Sequence, residues 1–374
     1  MADFGMDAAD FGMDAAGFGM DAAGSGMDAA GSGMDAAELL CIGNAMVDVF
    51  AEIPKTRFGN FCEDFGLSKP VQHVPAETAA AILAALPAVP PPVYCAGGGA
   101  ANTAKIAARL GVKTAFAGAV GGLSIPGGEH TDRFGTLFEK ELRCAGVELY
   151  LARKQSPTGM FISLTSGGER RIAASPAAAL ELETADINED LFSGKSAAHT
   201  QHNSCGTPKI LMLEGFLLER ENLLRRLLEL AEKHSLTLAL DPGTADNATE
   251  HAALICSLSS HFPVILFMNE NEAAAFAPDK KNLPPAGLLP PGPKPGFPLL
   301  VVKCAERGAV VSQNNTMWTI PTQPVEGAES TGAGDAFAAG FLAAWLRGQN
   351  PEVCGKAGNA AAALVLERPG TGNG

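Results

Sequence analysis

The apolar positions of this chain fall into two spacings that take turns along it. Short, mostly apolar runs at residues 39–42, 210–213, 236–240, 264–268 and 299–302 are each closed by polar or glycine turns. Runs of that length predict strands buried on both faces, the pattern of a parallel sheet covered by helices. Between and around them, apolar or small residues recur three and four apart, which predicts helices at 77–86, in the stretch before Gly111, at 131–145, at 219–233 and at 351–367. Pro87 and the run Pro90-Pro91-Pro92 end the first of these, because proline cannot donate to the helical ladder. Residues 114–120 read as a further strand and 310–320 as a hairpin arm. The alternation predicts an α/β fold: a three-layer sandwich with a mostly parallel, Rossmann-like central sheet.

Two stretches interrupt the alternation. Residues 158–165 and 171–173 bracket Ser166-Gly167-Gly168-Glu169 and predict a hairpin. Residues 54–75 have mixed polarity and suit a small accessory sheet. Together these segments, near 50–75 and 155–175, are expected to form a small β-sheet lid over a site in a single domain spanning 38–370. The proline-rich 284–298 segment is expected to be a surface loop.

Residues 1–37 are different in kind. MDAAxxG repeats from Met6, Met13, Met20, Met27 and Met34, and the tail holds seven Asp and no Lys or Arg, half of the net charge of -14. The last copy degrades into Glu38, but glycine in the other copies costs a helix roughly 1 kcal/mol per site, so a seven-residue coiled coil is disfavoured and a disordered acidic tail is expected. The charge also speaks against nucleic acid as a partner. No run of about 18 apolar residues predicts a membrane span. The eight cysteines lack a CxxC pair, which suits reduced thiols in a cytoplasmic protein. His199, His202 and Cys205 lack a fourth ligand for zinc, and Gly194-Lys195-Ser196 has Glu189 where a phosphate loop needs its first glycine.

The chemistry concentrates at Ser330-Thr331-Gly332-Ala333-Gly334-Asp335, which runs directly into the apolar stretch 336–345. A glycine turn opening a helix aims unpaired N–H groups and the positive end of the helix dipole at one small volume, a place for an anion. Asp335 is then either a helix cap or a carboxylate set beside a phosphate to take a proton from an attacking hydroxyl. Gly97-Gly98-Gly99 with Asn102 nearly spells a dinucleotide fingerprint, but Asn102 replaces its third glycine and no acid closes the next strand, so an NAD-dependent oxidoreductase is a weak reading. Asn269 and Glu272 follow a strand directly. They are either a capped helix start or oxygen donors toward a hydrated Mg2+. Asp48 is a lone acid among apolar neighbours, a satisfied turn residue or a hydroxyl ligand.

Taken together, Gly97-Gly98 with Asn102, Asn269 with Glu272, and Thr331-Gly332-Ala333-Gly334-Asp335 resemble the ribokinase-like (PfkB) family of carbohydrate and nucleoside kinases over about residues 39–370. The segments 43–48 and 157–159 are similar in style to its adenosine kinase-like branch. The resemblance implies a ribokinase-type sandwich with a β lid, and transfer from ATP to a primary hydroxymethyl group of a sugar or nucleoside. It implies Asp335 as general base, an anion hole from the N–H groups of Gly332, Ala333 and Gly334, and Mg2+ ordered through water by Asn269 and Glu272. Asp48, Gly98 and Asn102 would bind acceptor hydroxyls, with Thr331 and Asn359 on the nucleotide side. A base slot lined by Phe58, Phe61 and Phe65 is expected for a nucleoside. Glu329-Ser330, where the family often has Asp-Thr, leaves a monovalent-cation site open. Lys303 stands where the family often has Thr in the turn 303–308, which leaves the donor choice open. A catalytically silent sugar- or nucleotide-binding regulator is the competing class, and monomer and homodimer are both compatible with the sequence.

Overall fold

The computed structural model describes residues 37–125, 128–193, 209–277, 292–314, 316–324 and 331–366. The repeat tail, the 194–208 segment with its histidines, most of the proline-rich loop and Glu329-Ser330 lie outside the described residues. In chain order the elements are β1 (Leu39–Ile42), β2 (Met46–Glu52), α1 (Lys55–Asp64), β3 (Val71–His73), α2 (Ala76–Ala85), β4 (Val93–Gly97), α3 (Gly99–Arg109) and β5 (Thr114–Ile125). Next come β6 (Gly128–Thr131), α4 (Arg133–Cys144), β7 (Glu148–Lys154), β8 (Gly159–Ser166), β9 (Glu169–Ser175) and α5 (Asp190–Ser193). The α/β alternation then runs β10 (Ile210–Glu214), α6 (Glu221–Lys233), β11 (Thr237–Asp241), α7 (Ala245–Glu250), α8 (Ala252–His261), β12 (Val264–Asn269) and α9 (Glu270–Phe276). It closes with β13 (Leu299–Lys303), β14 (Ala309–Gln313), β15 (Thr316–Ile320), α10 (Ala333–Leu346) and α11 (Pro351–Leu366).

The large sheet has the order β15-β14-β13-β12-β11-β10-β1-β5-β6, with β7 also paired to β5. From β13 through β5 every pairing is parallel, and β14 and β15 add an antiparallel edge. The short, mostly apolar runs are explained by the pleat, which sends alternate residues to opposite faces. Leu39, Cys41, Ile265 and Phe267 enter one core with α3, α10 and α11, while Leu40, Ile42, Leu266 and Met268 enter a second core with α6 and α8. Burial on both faces therefore fixes the strands' composition.

A second sheet, β3-β9-β8-β2-β4, stands beside the first. It contains the expected hairpin, β8 and β9, and between β8 and β4 it takes in β2, the strand that follows β1 after a short turn. The expectation of accessory strands throughout 54–75 is corrected. Residues 55–64 form helix α1, which buries Phe58, Phe61 and Cys62, and only β3 is extended. Those three positions recur three and four apart, a helical stripe that the polar residues between them dilute.

Candidate active site

Four adjacent parallel strands end in polar residues along one edge of the large sheet, β10 in Glu214, β11 in Asp241, β12 in Asn269 and β13 in Lys303. Glu214 is level with Asp241, and Asn269 with Lys303. This is the carboxyl edge, where α/β sheets place their sites. Helix α10 starts above it. Gly332 takes φ +82°, a left-handed conformation that suits glycine and turns the chain into the helix. The first helical bond runs from the Ala336 N–H to the Gly332 carbonyl at 2.9 Å. The N–H groups of Ala333, Gly334 and Asp335 precede it and have no partner within the helix, the arrangement that suits an anion.

Asp335 does not cap this helix. Gly332 is the N-cap residue, with no side-chain capping bond, and Asp335 Oδ2 instead accepts from Asn102 Nδ2 on α3 at 3.0 Å. Its pKa is raised to about 7, first by burial and further by the charges of Asp241 and Glu214, against the opposing Asn102 bond and Lys303. Asp48 on β2 is buried, and its pKa is likewise pushed to about 7 by desolvation, with Lys105 and Arg170 pulling the other way. Its carboxylate lies against bare Gly97, where any side chain would collide with it. Gly98, at φ +99°, similarly leaves room for the Asn44 carbonyl. The two glycines thus let β4 and the start of α3 approach β2.

Three groups that the sequence reading left aside also belong to the site. Glu214 accepts from the N–H groups of Asn44 and Gly99, both at 2.6 Å, and of Ala100 at 3.4 Å, tying the turn after β1 to the start of α3. Arg170 on β9 donates to Ser163 at 3.0 Å and, across to the loop that opens α10, to the Thr331 hydroxyl at 2.7 Å. Asp241 accepts from Lys303 Nζ at 2.6 Å. An acid closing a buried apolar strand was the available signal for Glu214 and Asp241. Arg170, on a hairpin strand among other polar residues, carried none.

Asn269 and Glu272 come together as a capping box. Glu272 accepts from the Asn269 backbone at 2.7 Å and from its amide at 2.7 Å, and Asn269 Oδ1 accepts from the Glu272 N–H at 2.9 Å. The two side chains therefore bond to each other, and a metal would meet them through water. Burial, and then the charge of Asp241, raise the Glu272 pKa. Asp241, Glu272 and Asp335 gather three carboxylates near one lysine, a charge balance that fits an added divalent cation. Beyond the glycine loop, a cleft of about 280 Å³ is lined by Lys303, Glu306, Gly334, Phe337, Asn359 and Ala362. Asn359 donates to the carbonyls of Ile320 and Pro321, each at 3.2 Å, which fixes it in the cleft wall. A mostly apolar slot leading to backbone N–H donors fits a nucleotide, base first and phosphates at the loop. The expected phenylalanine slot is not formed: Phe58 and Phe61 are buried in the core, with Phe65 packed on Phe61 at 5.0 Å.

A helix start with unpaired N–H groups, a carboxylate beside it and an adjoining cleft are the parts that an α/β phosphotransferase with an alcohol acceptor requires. Comparison with known proteins gives the particular family: the chain belongs to the pfkB family of carbohydrate kinases, whose pattern matches residues 80–374. It is 26% identical to a nucleoside kinase of Methanothermobacter thermautotrophicus over 74% of this chain and 79% of the relative. It is 25% identical to an ATP-dependent ribose-1-phosphate kinase of Halopiger xanaduensis over 73% of this chain and 81% of the relative. The crystal structure of adenosine kinase from Sinorhizobium meliloti superposes with a TM-score of 0.71 at 25% identity, covering 90% of this chain and 96% of that one. No helix among the described residues is long and apolar enough to cross a membrane.

Proposed function

We propose that this sugar/nucleoside kinase transfers the γ-phosphoryl group of ATP to the primary hydroxymethyl group of a ribose-type acceptor, a nucleoside in preference to a free hexose, with Asp335 as general base. One observation carries the reading: a carboxylate with its pKa at about 7, held by Asn102 at 3.0 Å, at the mouth of an anion loop. A base for an alcohol proton needs a pKa near the working pH and a fixed direction, and Asp335 has both. Bound ATP would supply the phosphoryl group and Mg2+ the screening of its charge.

The chain's residues supply alignment and proton handling. The N–H groups of Gly332, Ala333 and Gly334 are fixed by the turn before any anion arrives, so stabilising it costs little reorganisation. Asp335 accepts the acceptor's proton at its carboxylate. Asp48, Gly98 and Asn102 orient the remaining hydroxyls, which turns an encounter into a positioned reaction. Asn269 and Glu272 would hold a metal through its water, Asn359 and Phe337 would hold the donor's base, and Arg170 fixes Thr331 at the edge of the loop. The small sheet, with lid segments near 50–75 and 155–175, excludes water as a competing acceptor. The nucleoside preference is supported by what two of the similar proteins are, a nucleoside kinase and an adenosine kinase.

The test is ADP release from Mg-ATP across a panel of nucleosides and sugars, with wild type and Asp335→Asn on matched preparations. The amide keeps the size of the carboxylate but cannot take the proton, so turnover should fall about 10^2 to 10^4-fold while Mg-ATP affinity and melting temperature hold. Retention of more than about a tenth of the turnover would remove Asp335 from the role. Tighter use of ribose or fructose than of any nucleoside would remove the acceptor preference.

A further inference from the structure

Lys303 occupies the border between the cleft and the glycine loop. It ends β13, lines the cleft, and its Nζ lies 3.1 Å from where a Cβ on Gly334 would stand, so the ammonium touches the bare backbone of the anion loop. One of its three N–H donors goes to Asp241 at 2.6 Å, and among the described residues no second hydrogen bond to it is formed. Burial alone would lower its pKa, but the charge and hydrogen bond of Asp241, and then Glu272 and Asp335, raise it above the ordinary lysine value. The group is a permanent cation, with donors to spare, on the line between a base in the cleft and a phosphate at the loop.

We propose that Lys303 is the residue that binds the phosphate chain of the donor: anchored by Asp241, its ammonium donates hydrogen bonds to nucleotide phosphate oxygens just before they reach the loop of Gly332, Ala333 and Gly334. The proposal rests on the kinase reading and adds a charged ligand to it. A hydroxyl at this position would offer a single neutral donor. The lysine offers a full charge, and charge-assisted hydrogen bonds to phosphate are about twice as strong as neutral ones. Asp241 is then the anchor that keeps the ammonium aimed, a positioning residue for Lys303.

Calorimetric binding of ADP and of tripolyphosphate to the full chain, in a chelator so that no metal contributes, tests this without turnover. Lys303→Met alone leaves Asp241 buried and unpaired and can cost stability on that account, so the informative variant is Lys303→Met with Asp241→Asn, set against Lys303→Arg. The expected result is ADP affinity weaker by about tenfold or more in the double variant, tripolyphosphate binding lost with it, and Lys303→Arg within about threefold of wild type. The affinity of the double variant should also fall less steeply with added KCl, because one phosphate contact is gone. ADP affinity of the folded double variant within about twofold of wild type would overturn the role, as would equal losses in the arginine and double variants. A wild-type chain that binds neither ADP nor Mg-ATP would overturn the kinase reading itself and the proposal with it.

Discussion

Two carboxylates with a pKa of about 7, Asp48 buried and Asp335 half-buried, make the site's activity and its stability respond to pH in opposite directions. Asp335 works as a base only when ionised, so kcat/KM for the acceptor should fall as pH drops through about 7, by about tenfold per unit and more steeply where Asp48 protonates over the same interval. For stability the sign reverses. Both folded-state pKa values stand above the unfolded value of about 3.9, so the folded chain holds protons that the unfolded chain has released. That stabilisation is complete below the unfolded pKa and is lost as pH rises to the folded one. Melting temperature should therefore carry a component that declines from about pH 4 to about pH 7, and Asp335→Asn should flatten it. Thermal melts of both proteins across that range check the sign, and a component that rises with pH would contradict it. The sequence named Asp335 from its loop, and Asn102 from its place after the glycines. It could not join them, because the hydrogen bond spans 233 positions.

At the scale of elements, the edge strand β4 has an unusual support. The Ala96 N–H donates to Glu141 Oε2 on α4 at 2.9 Å, and its carbonyl accepts from Lys105 Nζ on α3 at 2.8 Å. Lys105 has 0% of its side chain exposed, and its Nζ is 3.7 Å from Glu141. An ion pair from two helices thus stands in for the missing neighbouring strand and satisfies an edge peptide that would otherwise be buried unpaired. Gly97 and Gly98 follow at once, against Asp48 and Asn44. Lys105→Met should lower the melting temperature by leaving Glu141 without its buried partner, and Lys105→Met with Glu141→Gln should recover part of the loss. Both variants should raise KM for the acceptor and leave KM for ATP unchanged, since β4 leads to the acceptor side and not to the cleft. Equal changes in the two KM values would refute this division. The parallel strands were legible because burial on both faces leaves no choice of composition. Helix α1 was not, because its apolar stripe is only three residues wide among polar ones. The capping box of Asn269 and Glu272 was legible only as one of two alternatives, and both are compatible with the bonds observed.

For the whole molecule, the site is assembled from two sheets. Asp48 and Arg170 come from the small sheet, and Glu214, Asp241 and Lys303 from the edge of the large one. That division was hidden in the sequence, because β1 and β2 are similar apolar strands a few residues apart and nothing local says that the chain changes sheets between them. The boundary before β1 was plain by contrast. The chain ahead of Leu39 repeats one acidic heptad, with seven Asp and no cation, and offers little apolar area with which to dock on the body. The start of β1 is secured without it: the Glu38 and Leu39 N–H groups both donate to the Lys113 carbonyl, and Glu38 pairs with Lys209 at 2.7 Å. Deleting residues 1–36 keeps all of these bonds and removes half of the net negative charge. The truncated chain should therefore match full-length protein in turnover and in melting temperature, within about 2 °C. It should also elute earlier from an anion exchanger, because it carries only half of the net negative charge. Loss of soluble folded protein, or a melting temperature lower by several degrees, would mean that the repeats pack on the kinase body.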